Sequence, residues 1–501
     1  MEKYHTQTDH VQSDQLCRTG IAGLDQVIGG GLPANCLYVV QGEPGAGKTT
    51  LALQFLMEGA RVGEKVLYIT FSETKRELLK VARSHGWDLS NISIIDLSLL
   101  EAQFSPETQS TLFHPSEIEL TQITDKLVTE INELCPSRIV FDSVSEMRLL
   151  AENPLRYRRQ ILALKQNLAP RDATVLFLDD LTIAAQDVQV QSLAHGVISL
   201  TRLHHDFGGE RRRIRVLKLR GVDFKGGNHD FDIRKGGLVV YPRMISSNFS
   251  DNNVRGVLKS GSPQLDSLVG GGLDRGTSNL IIGPAGTGKS TIGMKYALAA
   301  TEAGEKVAYF CFDETIANFY KRAKALNLNF ESAEKKGLFY QQKVNPAELS
   351  PGAFSGLIQT LVAEQNVKVV VIDSMNGYVQ SMPQEHFLVL QLHELLAYLN
   401  NQGVVTIMML TQQGMIGSMT SPVDLTYLAD TVILTRYFEA DGTVRKAISV
   451  VKKRTGAHER SIRELTIDNQ GLHVGETLSN FRGVLTGVPQ FTGKTRPGDA
   501  L

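Results

Sequence analysis

Eight short apolar runs set the rhythm of the chain. LYVVQ (37–41), VLYIT (66–70), RIVFD (138–142) and TVLFL (174–178) occupy the first half, and NLIIG (279–283), VAYFCF (307–312), VVVID (369–373) and VVTIMML (404–410) the second. Val, Ile and Leu follow one another here with little polar alternation, which suits strands buried on both faces of a parallel sheet. Longer segments of helical spacing separate the runs. Strands that alternate with helices in this way predict an α/β fold with a mainly parallel central sheet in each half.

The two halves are copies of one plan. GEPGAGKTT (42–50) returns 241 residues later as GPAGTGKST (283–291), and GEKVLYITFSET (63–74) returns at the same offset as GEKVAYFCFDET (304–315). Leu24 and Asp25 precede Gly29–Gly31 as Leu265 and Asp266 precede Gly270–Gly272. Later markers drift to offsets of 231 (Ser143 to Ser374) and 234 (Lys218 to Lys452), which a few changes in loop length explain. A repeat this long exceeds solenoid periods and reads as duplication of a whole domain. The expected division is a flexible N-terminus at 1–18, a first domain at 19–246, a polar linker at 247–253, a second domain at 254–489 and a short tail at 490–501.

Composition narrows the partners. The 501 residues carry 52 basic and 53 acidic side chains, a net charge of -1, so no global field calls for nucleic acid or an anionic membrane. Four cysteines, with no CxxC pair, indicate neither a disulfide framework nor a zinc site. A polar N-terminus and the lack of a long apolar run predict a cytoplasmic protein without a membrane span.

Each GxxxxGK[ST] stretch is a phosphate cradle. Its glycines let backbone N–H groups turn toward phosphates at a helix N-terminus, which predicts nucleotide contacts at Gly42, Gly45, Ala46, Gly47, Lys48, Thr49 and Thr50. The second copy gives Gly283, Gly286, Thr287, Gly288, Lys289, Ser290 and Thr291. Lys48 and Lys289 reach the terminal phosphates, and Thr49 and Ser290 bind Mg²⁺. Asp142 and Asp373 each end a buried strand, where a carboxylate needs a partner such as Mg²⁺ or a magnesium-bound water. Glu73 and Glu314 follow another strand and are candidate catalytic carboxylates; Asp313 joins Glu314, whereas the first copy has Ser72.

GERRRIRVLKLRG (209–221) invites a nucleic-acid reading. Simple strand alternation puts Arg211, Arg213 and Arg215 on one face and Lys218 and Arg220 on the other, with no interleaved aromatics for base stacking. Contact with a neighbouring subunit's ATP is the preferred role of Lys218 and Arg220, and an exposed basic strand face is the plain alternative.

Tandem P-loop domains with FSET and FDET after a strand, GERRR followed by LKLRG, and DLTYLADTVILTRYFE (424–439) resemble the KaiC family of bacterial clock proteins, built from RecA-like domains. The resemblance runs from about Thr19 to about Pro489. It implies ATP and Mg²⁺ as cofactors, a homohexameric double ring with ATP between subunits, a first ring that hydrolyses ATP, and a second ring that phosphorylates itself on serine or threonine. Carried over residue by residue, it adds Ser84, Lys218, Leu219 and Arg220 to the first nucleotide site and Lys452, Lys453, Arg454 and His458 to the second. Asp313 becomes the base for autophosphorylation and Glu73 the water-activating carboxylate.

The family's adjacent phosphoacceptors fall on Thr426 and Tyr427, where a serine and a threonine are the pattern. Thr426 keeps a hydroxyl of similar reach; the phenol of Tyr427 projects further. Phe224 and Leu326 replace a histidine and an aromatic near the nucleotide. The tail QFTGKTRPGDAL does not resemble the segment that engages KaiA, so KaiA is not expected as a partner, while a KaiB-like protein or another signalling partner stays open. The implied role is timing or stress signalling. Two alternatives stand beside it: a RecA- or DnaB-like DNA-dependent ATPase, which the charge balance disfavours, and a scaffold that uses ATP only to assemble.

Overall fold

The apolar runs become the centres of two sheets. The computed structural model describes residues 15–97, 127–151, 153–181, 188–204, 208–245, 255–380, 388–414, 419–421, 423–485 and 489–492. Two compact units meet in the chain at Arg243 and Met244. Residues 1–14 of the expected N-terminus, the expected linker 247–253 and residues 493–501 of the tail lie outside the described residues. Gln490–Phe491, at the start of the expected tail, pairs with Phe481–Arg482 and brings Phe491 within 5.5 Å of Phe481.

The first unit holds a nine-stranded sheet. Its order is Gly237–Tyr241, His229–Arg234, Arg211–Leu219, Gly196–Leu203, Leu37–Gly42, Thr174–Asp180, Arg138–Asp142, Val66–Thr70 and Ser93–Asp96. The six strands from Gly196–Leu203 to Ser93–Asp96 run parallel, and the other three extend the sheet antiparallel. The second unit repeats this order around its P-loop strand, Ser278–Gly283, which lies between Val405–Thr411 and Thr431–Ala440. Both units are RecA-like α/β domains with mainly parallel sheets.

Burial on both faces explains the unalternating strands. In the first unit the helix Lys48–Arg61 covers one face, where Tyr38, Val40, Phe55 and Tyr68 pack together, while Pro154–Leu168 covers the other over Val39, Phe141 and Phe177. The second unit packs Phe319, Tyr309 and Phe339 on one face and Phe310, Phe354 and Tyr378 on the other. Large side chains buried this completely contribute roughly 1.5–3 kcal/mol each.

One feature of the antiparallel extension differs from simple alternation. Val197 pairs with Lys218 but Ile198 pairs with Val216, so Leu217 is an extra residue in a bulge. The extra residue flips the strand's parity, which returns Lys218 to the face of Arg213 and Arg215 and turns Leu219 into the core. Lys218 is therefore not on the face opposite the arginines. Val451 makes the same bulge in the second unit, between the Val432–Lys452 and Ile433–Val450 pairs.

Candidate functional site

The chain reaches each P-loop from a buried strand and leaves it in a helix. Gly47 and Gly288 stand at the helix N-caps with φ of 106° and 100°, a left-handed conformation that side chains disfavour. A Cβ at either would meet Ile233 or Ile467, so backbone and neighbours together demand glycine. Ala46, Thr50 and Thr291 are buried behind the loops, and the hydroxyl of Thr287 bonds that of Thr435 at 2.7 Å.

In the first unit, Asp142 ends its strand beside the P-loop helix. Thr49 Oγ1 donates to Asp142 Oδ2 at 3.1 Å, and the buried phenol of Tyr68 donates to the same oxygen. Burial pushes the Asp142 carboxyl above the usual carboxylate range, against the lowering effect of those two hydrogen bonds. Lys48 Nζ donates to the carbonyls of Gly42 and Glu43 at 2.9 and 3.0 Å and pairs with Asp180 at 2.6 Å.

FSET and FDET work as helix starts. Thr74 caps the helix Lys75–His85 in a reciprocal capping box with Glu77, and Thr315 caps Ile316–Ala325. The caps hold the preceding acids in the short turn after the strand, where Thr70 Oγ1 accepts from the Glu73 backbone N–H at 3.1 Å. Glu73 Oε2 is buried without a hydrogen-bond partner among the described residues, and burial followed by the Asp142 charge raises the carboxyl's pKa. A carboxylate with a raised pKa and an unbonded oxygen has the chemistry to accept a proton.

The second unit encloses a cleft of about 650 Å³ that brings together Gly286, Gly288, Lys289, Ser290, Asp313, Glu314 and Asp373. Tyr309 donates to Asp373 at 2.8 Å, as Tyr68 does to Asp142. Ser374 Oγ donates to Asp313 Oδ2 at 2.5 Å, and Arg322 pairs with Glu314 at 2.7 Å. Burial raises the Glu314 carboxyl despite Arg322, and it depresses the Lys289 ammonium to about 8. Lys289 Nζ donates to Pro284 O at 2.7 Å. Leu326, Arg322 and Lys446 also line this cleft.

The residues assigned by resemblance lie apart. Ser84 sits exposed on its helix, donating to Val81 O at 2.7 Å. Lys218 holds the carbonyls of Gln191 and Ala194 at 3.0 and 2.7 Å, and the Arg220 backbone N–H donates to His195 O. Lys452 donates to Thr426 O at 2.7 Å and Arg454 to Tyr427 O at 2.8 Å. Neither they nor the half-buried His458 line the cleft of their own unit. Lys453 is engaged internally by Val269 O, Gly272 O and Asp274, and Leu219 packs in the core, so neither side chain is open to a ligand. Thr426 Oγ1 donates to Asp424 at 2.6 Å, while Tyr427 is 55% exposed.

Sequence reading missed Tyr68, Tyr309 and Asp180. The tyrosines carry no signal beyond their place in apolar runs. Asp180 carried one, because TVLFLDD ends a buried strand in carboxylates just as RIVFD does.

Oxygen donors of this kind fit Mg²⁺, which takes one or two protein ligands and fills its remaining positions with phosphate oxygens and water. Thr49 with Asp142, and Ser290 with Asp373, are the residues that would hold it. Among the described residues, no helix is long and apolar enough to cross a membrane.

The family model described as the KaiC ATPase matches twice, over residues 17–245 and 258–479. Curated relatives align along almost the whole chain. The circadian clock oscillator protein KaiC of Picosynechococcus is 26% identical over 490 residues, 96% of this chain and 93% of its own. The circadian clock protein KaiC3 of Synechocystis is 26% identical, with 95% of each chain covered, and the KaiC of Thermosynechococcus vestitus is 27% identical over 94% of this chain and 91% of its own. With two P-loop units of matching topology and a family match over most of its length, the chain belongs to the KaiC family of ATPases.

Proposed function

We propose that both sites bind MgATP, that the first hydrolyses it, and that the second transfers a phosphoryl group within the assembly, in a timing or stress-signalling role. The observation that carries this division is the acid set beside each P-loop: the second cleft gathers Asp313 and Glu314, whereas the first has Ser72 and Glu73 at these positions. Glu73, half-buried with its Oε2 unbonded among the described residues and its pKa raised, suits deprotonation of water. Mg²⁺, when bound, neutralises charge on the phosphates.

In the second unit, Thr426 Oγ1 would attack the γ-phosphorus of ATP held by a neighbouring copy. The bond to the ADP oxygen breaks, ADP leaves, and the hydroxyl proton passes to Asp313. Lys452, Arg454 and His458 stand outside their own cleft, which supports a role across an interface in a homohexameric double ring. Tyr427 is the second candidate acceptor. The conditional partner is a KaiB-like protein.

Intact mass and free phosphate, followed after mixing protein with Mg-ATP, test this reading. A gain of one phosphoryl mass that disappears in Thr426→Ala and Glu314→Gln supports it. Phosphate release without mass gain removes the kinase half and leaves an ATPase.

A further inference from the structure

The two P-loop lysines are equally buried, each 6% exposed, yet they differ in counter-charge. Lys48 pairs with Asp180 at 2.6 Å, while Lys289 has no ion-pair partner among the described residues and donates to Pro284 O. Strand register makes the comparison direct. Gly42 lies opposite Asp180 on the adjoining parallel strand, and Gly283 lies opposite Thr411 in the same place. Thr411 is neutral, and its backbone is tied to Asn376 at 2.6 and 2.8 Å. The first site thus lacks the acid found at Asp313 in the second and gains one at Asp180, across the P-loop lysine.

Resting on the reading of both sites as nucleotide sites, we propose that Asp180 is an affinity-setting latch particular to the first site. It holds Lys48 when no phosphate is present, and an incoming triphosphate must displace it. The displaced carboxylate stays near Asp142 and Glu73, so the anionic ligand trades one favourable pair for another and meets one more negative charge. The second site requires no such exchange. Its lysine is ready for phosphate, so the second site holds nucleotide more tightly and the first exchanges it faster.

Swapping the two residues tests the latch in the full chain. Binding and release of a fluorescent ATP analogue with Mg²⁺ are measured at the first site in a Lys289→Ala background, with and without Asp180→Thr, and at the second site in a Lys48→Ala background, with and without Thr411→Asp. Asp180→Thr is expected to tighten the first site about tenfold, mainly by slowing release, and Thr411→Asp to weaken the second by a similar factor. Asp180→Asn, which keeps shape and removes charge, should shift affinity in the same direction as Asp180→Thr. Loss of a purely structural contact would not tighten binding. Unchanged or weaker binding in both Asp180 variants, with melting temperatures preserved, overturns the latch. Nucleotide bound at neither site in any of these proteins overturns the underlying nucleotide reading instead.

Discussion

Tyr309 donates its phenolic hydrogen to Asp373 at 2.8 Å across neighbouring parallel strands, and the pair recurs as Tyr68 and Asp142. The phenol orients a carboxylate whose other side faces the cleft shared with Lys289, Ser290 and Asp313. Tyr309→Phe removes a hydrogen bond to a charged acceptor and is expected to cost the second unit about 1.5–3 kcal/mol. Urea unfolding of this variant checks the figure, and a change below about 0.5 kcal/mol would show that water serves Asp373 as well.

Each P-loop lysine belongs to a separate site. Lys48→Ala and Lys289→Ala should each reduce the calorimetric stoichiometry of Mg-ATP from two per chain to one, and the double variant should bind none. Two nucleotides retained in either single variant would remove that lysine from the binding machinery.

His229 gives the first unit a pH dependence. The buried ring bonds Lys225 O and accepts the Arg243 backbone N–H, and burial, helped by the charges of Arg243 and Lys225, lowers its pKa from the ordinary 6.5. A folded state that prefers the neutral ring keeps this stability above pH 6.5 and loses it as pH falls through the depressed folded pKa. Hydrogen-exchange protection of the strand His229–Arg234 should therefore weaken from pH 7 to pH 5. His229→Gln should flatten the profile; an equally steep decline would assign it to other groups.

Phe319 is fully buried and lies 5.0 to 5.9 Å from the rings of Tyr309, Tyr320, Phe330 and Phe339. Phe319→Ala should destabilise the second unit by about 3–5 kcal/mol through the cavity it leaves. Chemical denaturation followed by tyrosine fluorescence measures it. A loss under about 1 kcal/mol would mean that the cluster collapses into the space.

Local patterns along the chain carry the plan of this protein. Uninterrupted Val, Ile and Leu suit strands buried on both faces, as in a parallel sheet covered by helices. The left-handed turns at Gly47 and Gly288 require glycine, and the Thr-x-x-Glu of Thr74 and Glu77 starts a helix from four adjacent residues. These are local constraints, legible wherever the chain is read, and they recur because the domain does. What distant positions share comes from how the strands pack. The bulge at Leu217 changed the face of Lys218, Tyr68 came to Asp142 from 74 residues away, and Asp180 came to Lys48 through the pairing of Gly42 with Asp180. Adjacent apolar pairs, Val216–Leu217 and Val450–Val451, hinted at the bulges, but only strand pairing shows which residue is extra. The reason is physical: side-chain chemistry and local backbone preference are written residue by residue, whereas register and the charges it juxtaposes depend on how separate strands pack together.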